Sequence, residues 1–208
     1  DVSGYHIPES ITVKDGLGRM PDTPSQLLYL ASEIPLFIFE GDAQFEGQTG
    51  LKLAGELLDT CQAHGVETVY TGAAFAQPTS FREPVKVFGV ATNERIKATF
   101  TSLQVEPLPE GSISGLNGLI LGLADARGLS AACFLATMPQ YAIEAPNPKA
   151  SKAVIEVFQR ILNTSIDMAE LNTRIRETDR MLGEFETRVT AAIQELKGRA
   201  DSLAESGE

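Results

Sequence analysis

Polar residues that could bind a small ligand follow the apolar run "IPLFIFE", which is typical of a strand buried on both faces in a parallel sheet. Asp42 and Gln44 come after this run, in the segment "GDAQ". Strands of an open α/β sheet end at the crevice where ligands bind, so these two side chains could contact a small molecule there. Capping of the helix predicted to begin near Gln48 is the alternative, and residues such as Asp and Gly are common at that position.

A second candidate is the glycine-rich segment "SISGLNGLILGLADARG". A phosphate-binding loop directs backbone N–H groups at the anion and commonly carries a lysine. Gly115, Gly118 and Gly122 follow neither the G-x-x-x-x-G-K-[ST] nor the G-x-G-x-x-G pattern. No basic residue occurs in the segment before Arg127. Gly118 and Gly122 lie one helical turn apart, which favours close packing of a helix against a sheet or a second helix.

Ser114 is the predicted N-cap of that helix. The candidate residues for a small ligand are Asp42, Gln44, Ser114, Gly115, Asn117 and Gly118. No catalytic residue or metal site is predicted, because His6 and His64 are isolated and the G-x-S-x-G, H-E-x-x-H and C-x-x-C motifs do not occur. Cys61 and Cys133 have apolar neighbours and are predicted to be buried, reduced thiols. The sequence therefore implies no cofactor.

The charge and hydropathy of the chain exclude two classes of partner. The 208 residues carry a formal net charge of -11, which opposes binding to the phosphates of nucleic acid. No apolar run approaches the ~20 residues that a transmembrane helix needs, so no membrane partner is expected. Reduced thiols predict a cytoplasmic protein. The chain begins with Asp1 instead of methionine, and we expect a further segment to precede it.

Alternating predicted strands and helices indicate an α/β fold with an open, mostly parallel sheet flanked by helices. The predicted strands are the segment around Ile11 and Val13, which an Asp-Gly turn ends, and the runs "IPLFIFEGD", "VETVYTGAAF", "VKVFGVATN" and "LSAACFLATMP". Helices are predicted over residues 48–64 and 149–162 and, after an Asn93 cap, in "ERIKATFTSL". The segment "SQLLYLAS" is predicted to be a short helix or a helical turn. Residues 1–166 form the predicted α/β domain.

The C-terminal part differs from this domain, because residues 167–197 fit a heptad pattern. Such an apolar stripe needs a partner helix, either from the same domain or from another subunit. The residues expected at this contact are Leu171, Ile175, Leu182, Phe185, Val189 and Leu196. Arg174 and Asp179 lie at heptad positions where charges cross between helices. Residues 198–208 are polar, and we expect them to be disordered.

The order of several segments resembles the proteasome assembly chaperone 2 family, whose prokaryotic members are often loosely described as related to ATP-grasp carboligases. The most specific segments are "GDAQ" after the buried strand and "ISGLNG" before a helix and a strand. The segments "ITVKDGLGRMP", "VKVFGVATN" and "ASKAVIEVFQRILNTSIDMAEL" extend the resemblance, which covers Ile11 to Leu182.

This resemblance implies a sheet similar to the phosphorylase/hydrolase-like sheet of nucleoside phosphorylases, in homo-oligomers that are commonly trimers. Eukaryotic members escort proteasome α subunits during ring assembly. The expected function is therefore that of a non-enzymatic, oligomeric chaperone-like or scaffold protein, with itself and proteins such as proteasome-like subunits as partners. The alternative is a nucleoside- or nucleotide-binding enzyme of the phosphorylase-like or ATP-dependent ligase type, in which Asp42, Gln44 and the backbone of residues 115–118 bind the ligand.

Overall fold

The computed structural model describes residues 11–20, 25–43 and 45–205. The predicted α/β class is confirmed, and the chain divides into two compact units. Unit 1 comprises Asp1–Val69 and Gly111–Ser130, and unit 2 comprises Tyr70–Glu110 and Ala131–Glu208. The elements in chain order are β1 (Thr12–Lys14), β2 (Leu17–Arg19), β3 (Gln26–Leu30), β4 (Phe37–Gly41), α1 (Gly47–Ala63), β5 (Thr68–Gln77), β6 (Val87–Ala91), α2 (Glu94–Lys97), α3 (Phe100–Leu103), β7 (Glu106–Pro107), α4 (Gly115–Ala126), β8 (Ser130–Pro139), a 3-10 turn (Gln140–Ala142), α5 (Pro148–Leu162) and α6 (Ala169–Glu205).

Two antiparallel hairpins begin unit 1. The β1–β2 hairpin turns at Asp15 and Gly16, whose φ angles of 52° and 76° are the left-handed values that a tight Asp-Gly turn requires. The predicted strand and turn are therefore confirmed. The second hairpin pairs β3 with β4, from Gln26 opposite Gly41 to Leu30 opposite Phe37.

The β3–β4 hairpin corrects two expectations. The segment "SQLLYLAS" contains a strand and no helix, because pairing with β4 decides its conformation where short apolar runs are ambiguous. The run before Asp42 does form a strand, but β4 pairs antiparallel, and Ile38 and Glu40 are exposed. A continuous apolar run shows that burial is favourable and leaves the pairing direction open, which is why the parallel, doubly buried assignment is wrong.

Helices α1 and α4 pack against each other within unit 1, where Arg127 Nη2 lies 3.0 Å from Asp59 Oδ1. The predicted helix of residues 48–64 is thus confirmed as α1. Gly118 and Gly122 of α4 do not form the predicted packing face. A Cβ on Gly118 would overlap the carbonyl oxygen of Ile113, so this glycine packs against the segment that enters its own helix. A Cβ on Gly122 would have no atom within 4 Å, so the packing expected at Gly122 is wrong.

Unit 2 is built on a mixed four-stranded sheet in the order β5-β8-β6-β7. Strand β6 pairs antiparallel with β8 and parallel with β7. Phe134 of β8 is fully buried in a core that also contains Phe100 of α3 and Val157 of α5. Helix α5 begins where the Asn147 side chain accepts a hydrogen bond from the Ala150 N–H, 3.0 Å away. The helix predicted over residues 149–162 is confirmed.

The segment "ERIKATFTSL" forms α2 and α3 in place of the single helix that was expected. Its predicted cap is confirmed, since Asn93 Oδ1 accepts a 3.0 Å hydrogen bond from the Ile96 N–H. The break occurs at Thr99, whose hydroxyl donates a 2.7 Å hydrogen bond to the Ile96 carbonyl. Threonine competes in this way for backbone groups of the preceding turn, which weakens helix continuity.

Helix α6 is continuous from Ala169 to Glu205. It passes residue 197, where the heptad segment was expected to end, and the remaining residues 206–208 lie outside the described part of the chain. Across the described residues, no helix combines the length and the apolar character that a membrane span demands.

Candidate functional site

The Asp42 carboxylate is engaged at the open end of the β3–β4 hairpin. Its Oδ2 accepts hydrogen bonds from the backbone N–H of Ser25 at 2.9 Å and from the Ser25 hydroxyl at 2.5 Å. The Asp42 N–H in turn donates to the Ser25 carbonyl at 3.0 Å. These hydrogen bonds from Ser25 lower the pKa of Asp42. Asp42 therefore holds two strands together, and Gln44, its predicted companion, lies outside the described residues.

The other candidate residues form the start of α4 in unit 1. Ser114 has the extended backbone of an N-cap, as predicted, but its exposed side chain makes no capping hydrogen bond. Gly115 follows with a φ of 71°, a value that favours glycine. Asn117 is half-buried, and Gly118 lies against the Ile113 carbonyl. The glycines thus meet the steric needs of a helix start, which accounts for them without a ligand.

The first half of α6 contacts the rest of unit 2 through polar side chains spaced by seven residues. These side chains are Asn172, Asp179 and Glu186. The central contact is an ion pair in which Lys149 Nζ lies 2.8 Å from Asp179 Oδ1. The same ammonium group donates a 2.7 Å hydrogen bond to the Phe81 carbonyl and lies 5.5 Å from the centre of the Phe81 ring. Lys149 therefore joins α6 to the segment between β5 and β6.

The last of these contacts is made by Glu186. Its Oε1 accepts a 2.9 Å hydrogen bond from the Tyr141 hydroxyl, and its Oε2 lies 3.4 Å from Arg82 Nη2. The Arg82 guanidinium also lies 4.6 Å from the centre of the buried Phe81 ring, so Phe81 contacts two cations. Desolvation raises the pKa of Tyr141, which keeps the hydroxyl protonated as the donor to Glu186. The contacts of Glu186 with Tyr141 and Arg82 thus fix the direction and the register of α6.

A cavity of about 20 Å³ lies under this part of α6, and its lining includes Phe81, Thr137, Ile175 and Leu182. That volume holds about one water molecule. A nucleoside or nucleotide needs a pocket of several hundred Å³, so this cavity is too small for the ligands of the alternative function.

The six heptad residues divide into two sets. Leu171, Ile175 and Leu182 are half-buried, and the latter two line the cavity of their own unit. The exposed set comprises Phe185, Val189 and Leu196. The two charges expected to cross between helices are engaged within the chain, since Asp179 binds Lys149 and Arg174 lies 2.7 Å from Glu170 of its own helix.

Sequence reasoning missed Phe81, Tyr141, Lys149 and Glu186, which position α6. One signal was present in the sequence, since Glu186 follows Asp179 by seven residues and so shares its side of the helix. The buried thiols were predicted correctly. Cys61 and Cys133 are free and buried, and burial raises the pKa of each.

A family model named the PAC2 family matches residues 2–186, which is most of the chain. The chain belongs to the PAC2 family. A relative of this PAC2 chain, the uncharacterized protein MJ1210 of Methanocaldococcus jannaschii, is 28% identical over 195 residues, which cover 91% of this chain and 74% of the relative.

Solved structures share the fold of this PAC2 protein. Pyrococcus furiosus PbaA, an archaeal homolog of proteasome-assembly chaperone, matches with a TM-score of 0.69 and 21% identity over 95% of this chain and 79% of that chain. PbaB of the same organism, an archaeal proteasome activator, matches with a TM-score of 0.69 and 24% identity over 86% of this chain and 78% of that chain. The proteasome-assembly chaperone homologue Rv2125 of Mycobacterium tuberculosis gives a TM-score of 0.70 and 22% identity over 88% and 78% of the two chains.

The PAC2 match ends at residue 186, the position of the Glu186 contact with Tyr141 and Arg82. The matched region thus includes the part of α6 that contacts the rest of unit 2. Residues 187–205, here called the distal segment of α6, continue the helix beyond it. Val189 and Leu196 of the distal segment are exposed, and Phe185 precedes them on the same stripe.

Proposed function

We propose that this PAC2 chain is a non-enzymatic, chaperone-like protein that forms a homo-oligomer and binds other proteins, including proteasome-like subunits. The trimer that the family resemblance implies is the expected oligomer. Its mechanism is burial of complementary apolar surface, with no bond made or broken. The observation that carries the proposal is the exposed stripe of α6, formed by Phe185, Val189 and Leu196.

The stripe supports contact with another helix because of its spacing. The three residues keep the heptad register that begins in the docked half of α6. In that half, the apolar heptad positions face the rest of unit 2, where Ile175 and Leu182 are half-buried. The same register leaves 51% of Phe185 and 64% of Leu196 exposed, and such side chains gain stability when a second helix covers them.

A second copy of α6 is the partner proposed for the homo-oligomer. Apolar heptad positions self-associate readily, since identical helices present the same spacing to each other. Proteasome-like subunits are the proposed clients of the assembled oligomer. This part of the proposal is supported by family membership and by the shared fold with PbaA and Rv2125.

The test compares two triple variants of the same helix. Phe185→Ser, Val189→Ser and Leu196→Ser together remove the stripe, and the control changes the exposed polar residues Glu184, Arg188 and Gln194 to Ser. The control replaces three good helix formers and the stripe variant only one, so the control costs at least as much helix propensity. Light scattering after gel filtration should give a lower mass for the stripe variant and an unchanged mass for the control. Equal masses for wild type and stripe variant would refute the α6 contact.

The client is tested with purified proteasome α subunits. They should elute with the wild-type chain and with the polar control in gel filtration, and less with the stripe variant. A wild-type oligomer that binds no α subunit would contradict the client and leave the oligomer standing.

A further inference from the structure

Helix α6 changes from a packed helix to an exposed one at Gly183. Before this residue, the apolar side chains of Leu171, Ile175 and Leu182 are half-buried. Of the side chains that the structure describes after Gly183, Glu186 alone is half-buried, and the others are exposed. The helix is therefore held by packing as far as Leu182 and by a single carboxylate beyond it.

The contact on the N-terminal side of Gly183 is short and sheltered. Lys149 Nζ lies 2.8 Å from Asp179 Oδ1, and the two side chains are only 28% and 35% exposed. The same ammonium group donates a 2.7 Å hydrogen bond to the Phe81 carbonyl. Hydrogen bonds that involve a charged group are stronger than neutral ones, and partial burial protects them from water. We call this contact of Lys149 with Asp179 the inner clamp.

The contact on the C-terminal side of Gly183 is weaker. Glu186 Oε2 lies 3.4 Å from Arg82 Nη2, and the Arg82 side chain is 64% exposed. Glu186 Oε1 accepts a hydrogen bond from the Tyr141 hydroxyl in an exposed position. Exposed ion pairs contribute little to stability, because water competes for both charges. The contact of Glu186 with Arg82 and Tyr141, here called the outer clamp, should therefore open before the inner one.

Two features that weaken a helix coincide between the clamps. A Cβ on Gly183 would lie 3.8 Å from the nearest atoms of Phe81 and Arg82, which is ordinary contact, so packing does not require a glycine here. Glycine is nevertheless less favourable than alanine in a helix interior. The Thr187 hydroxyl also donates a 2.8 Å hydrogen bond to the Gly183 carbonyl, and such bonds often bend helices.

We propose that α6 has a hinge at Gly183 and bends there when the outer clamp opens. Residues 169–179 stay in place through the inner clamp, and residues 184–205 swing away from the rest of unit 2 as one helix. The whole exposed stripe of α6 lies beyond Gly183, so the bend changes the direction in which the stripe points. The hinge goes beyond the proposed function, because it operates within one chain and needs no partner.

Two spin labels on the exposed side of α6 measure the bend. Labels attached at Thr173→Cys and Ala191→Cys are separated by 18 residues, so a straight helix holds them about 27 Å apart on the same side. Bending away from unit 2 brings them closer together. Labelled chains are mixed with an excess of unlabelled chain, so that pulsed electron paramagnetic resonance measures distances within one chain. The native Cys61 and Cys133 are buried and should take up little label.

Four variants test the roles of the clamp and of the glycine. Glu186→Ala opens the outer clamp and should raise the fraction of shorter distances by about threefold or more. Glu184→Ala removes an exposed glutamate outside the clamp and should leave the distances unchanged. Gly183→Ala should abolish the shorter distances, even in combination with Glu186→Ala, because alanine favours the straight helix. Gly198→Ala makes the same change in α6 outside the labelled interval and should have no effect.

Two results would overturn the hinge, once circular dichroism establishes that the variants are folded. One is a single distance of about 27 Å in both the wild type and Glu186→Ala. The other is a set of shorter distances that persists when Gly183→Ala is combined with Glu186→Ala, because the bend would then not depend on Gly183. A wild-type chain that is monomeric would contradict the proposed oligomer and leave the hinge standing.

Discussion

At the scale of single residues, Asp42 shows how a polar residue after a strand can serve the fold. Its carboxylate accepts two hydrogen bonds from Ser25 and so closes the hairpin. A side chain with this role stabilises the protein only while it is ionised. The dependence of stability on pH therefore distinguishes this structural role from that of an exposed carboxylate that accepts no hydrogen bond.

Asp42→Asn should destabilise the protein slightly at pH 7. The stability of the variant should also fall less than that of the wild type as the pH is lowered. The pKa of Asp42 is lowered from its ordinary value of 3.8, so its contribution is present above that pH and is lost as pH falls through the folded-state pKa. Thermal melts at pH 7 should show a lower midpoint for the variant, and melts at about pH 2 should show equal midpoints. Asp125→Asn changes an exposed carboxylate of α4 and serves as control. A difference that persists unchanged at the lower pH would contradict the assignment.

Gly118 and Gly122 offer a matched pair in one helix. A Cβ at Gly118 would overlap the Ile113 carbonyl, so Gly118→Ala should lower the free energy of unfolding by about 1–3 kcal/mol. A Cβ at Gly122 meets open space, so Gly122→Ala should raise it by about 0.5–1 kcal/mol through helix propensity. Urea denaturation measures both values. Effects of the same sign would contradict the close approach at Gly118.

At the scale of elements, the docking of α6 depends on the Lys149 ammonium group. Lys149→Met removes a partly buried ion pair with Asp179 and the hydrogen bond to Phe81, and should cost about 1–3 kcal/mol. Lys52→Met removes an exposed pair with Glu56 in α1 and should cost less than about 0.5 kcal/mol. Hydrogen exchange should accelerate across residues 169–186 in the first variant alone. Equal exchange in both would show that α6 is held by its apolar face.

Helices of strong periodicity were predictable from the sequence, and pairing partners were not. The apolar face of α5 and its Asn147 cap are both local signals, so its bounds agree with the prediction. Strand β3 was missed because its five residues carry no helix-specific or strand-specific period, and its pairing with β4 is a contact distant in sequence. The heptad of α6 predicted a partner helix, but spacing alone gives no means of telling the rest of unit 2 from another subunit for Ile175 and Leu182.

The candidate ligand residues illustrate the same limit. Asp42 and Gly118 were identified by residue type and position, and both make defined contacts. Those contacts are with Ser25 and Ile113, whose involvement depends on how a hairpin closes and how a helix is entered. Residue type shows that a polar or small side chain is needed, whereas the neighbour that needs it is set by the three-dimensional path of the chain.

At the scale of the whole molecule, the proposed oligomer depends on the part of α6 that follows the contact of Glu186 with Tyr141 and Arg82. Val189 and Leu196 lie beyond that contact and are exposed. The folding of one chain and the association of several chains should therefore be separable.

A shortened chain should separate folding from association. A chain that stops after Thr187 loses Val189 and Leu196 and keeps the Glu186 contact, so it should fold and have a lower oligomer mass than the full chain. Light scattering measures the mass, and circular dichroism establishes that the shortened chain is folded. A folded, shortened chain with the mass of the full-length oligomer would contradict the α6 contact.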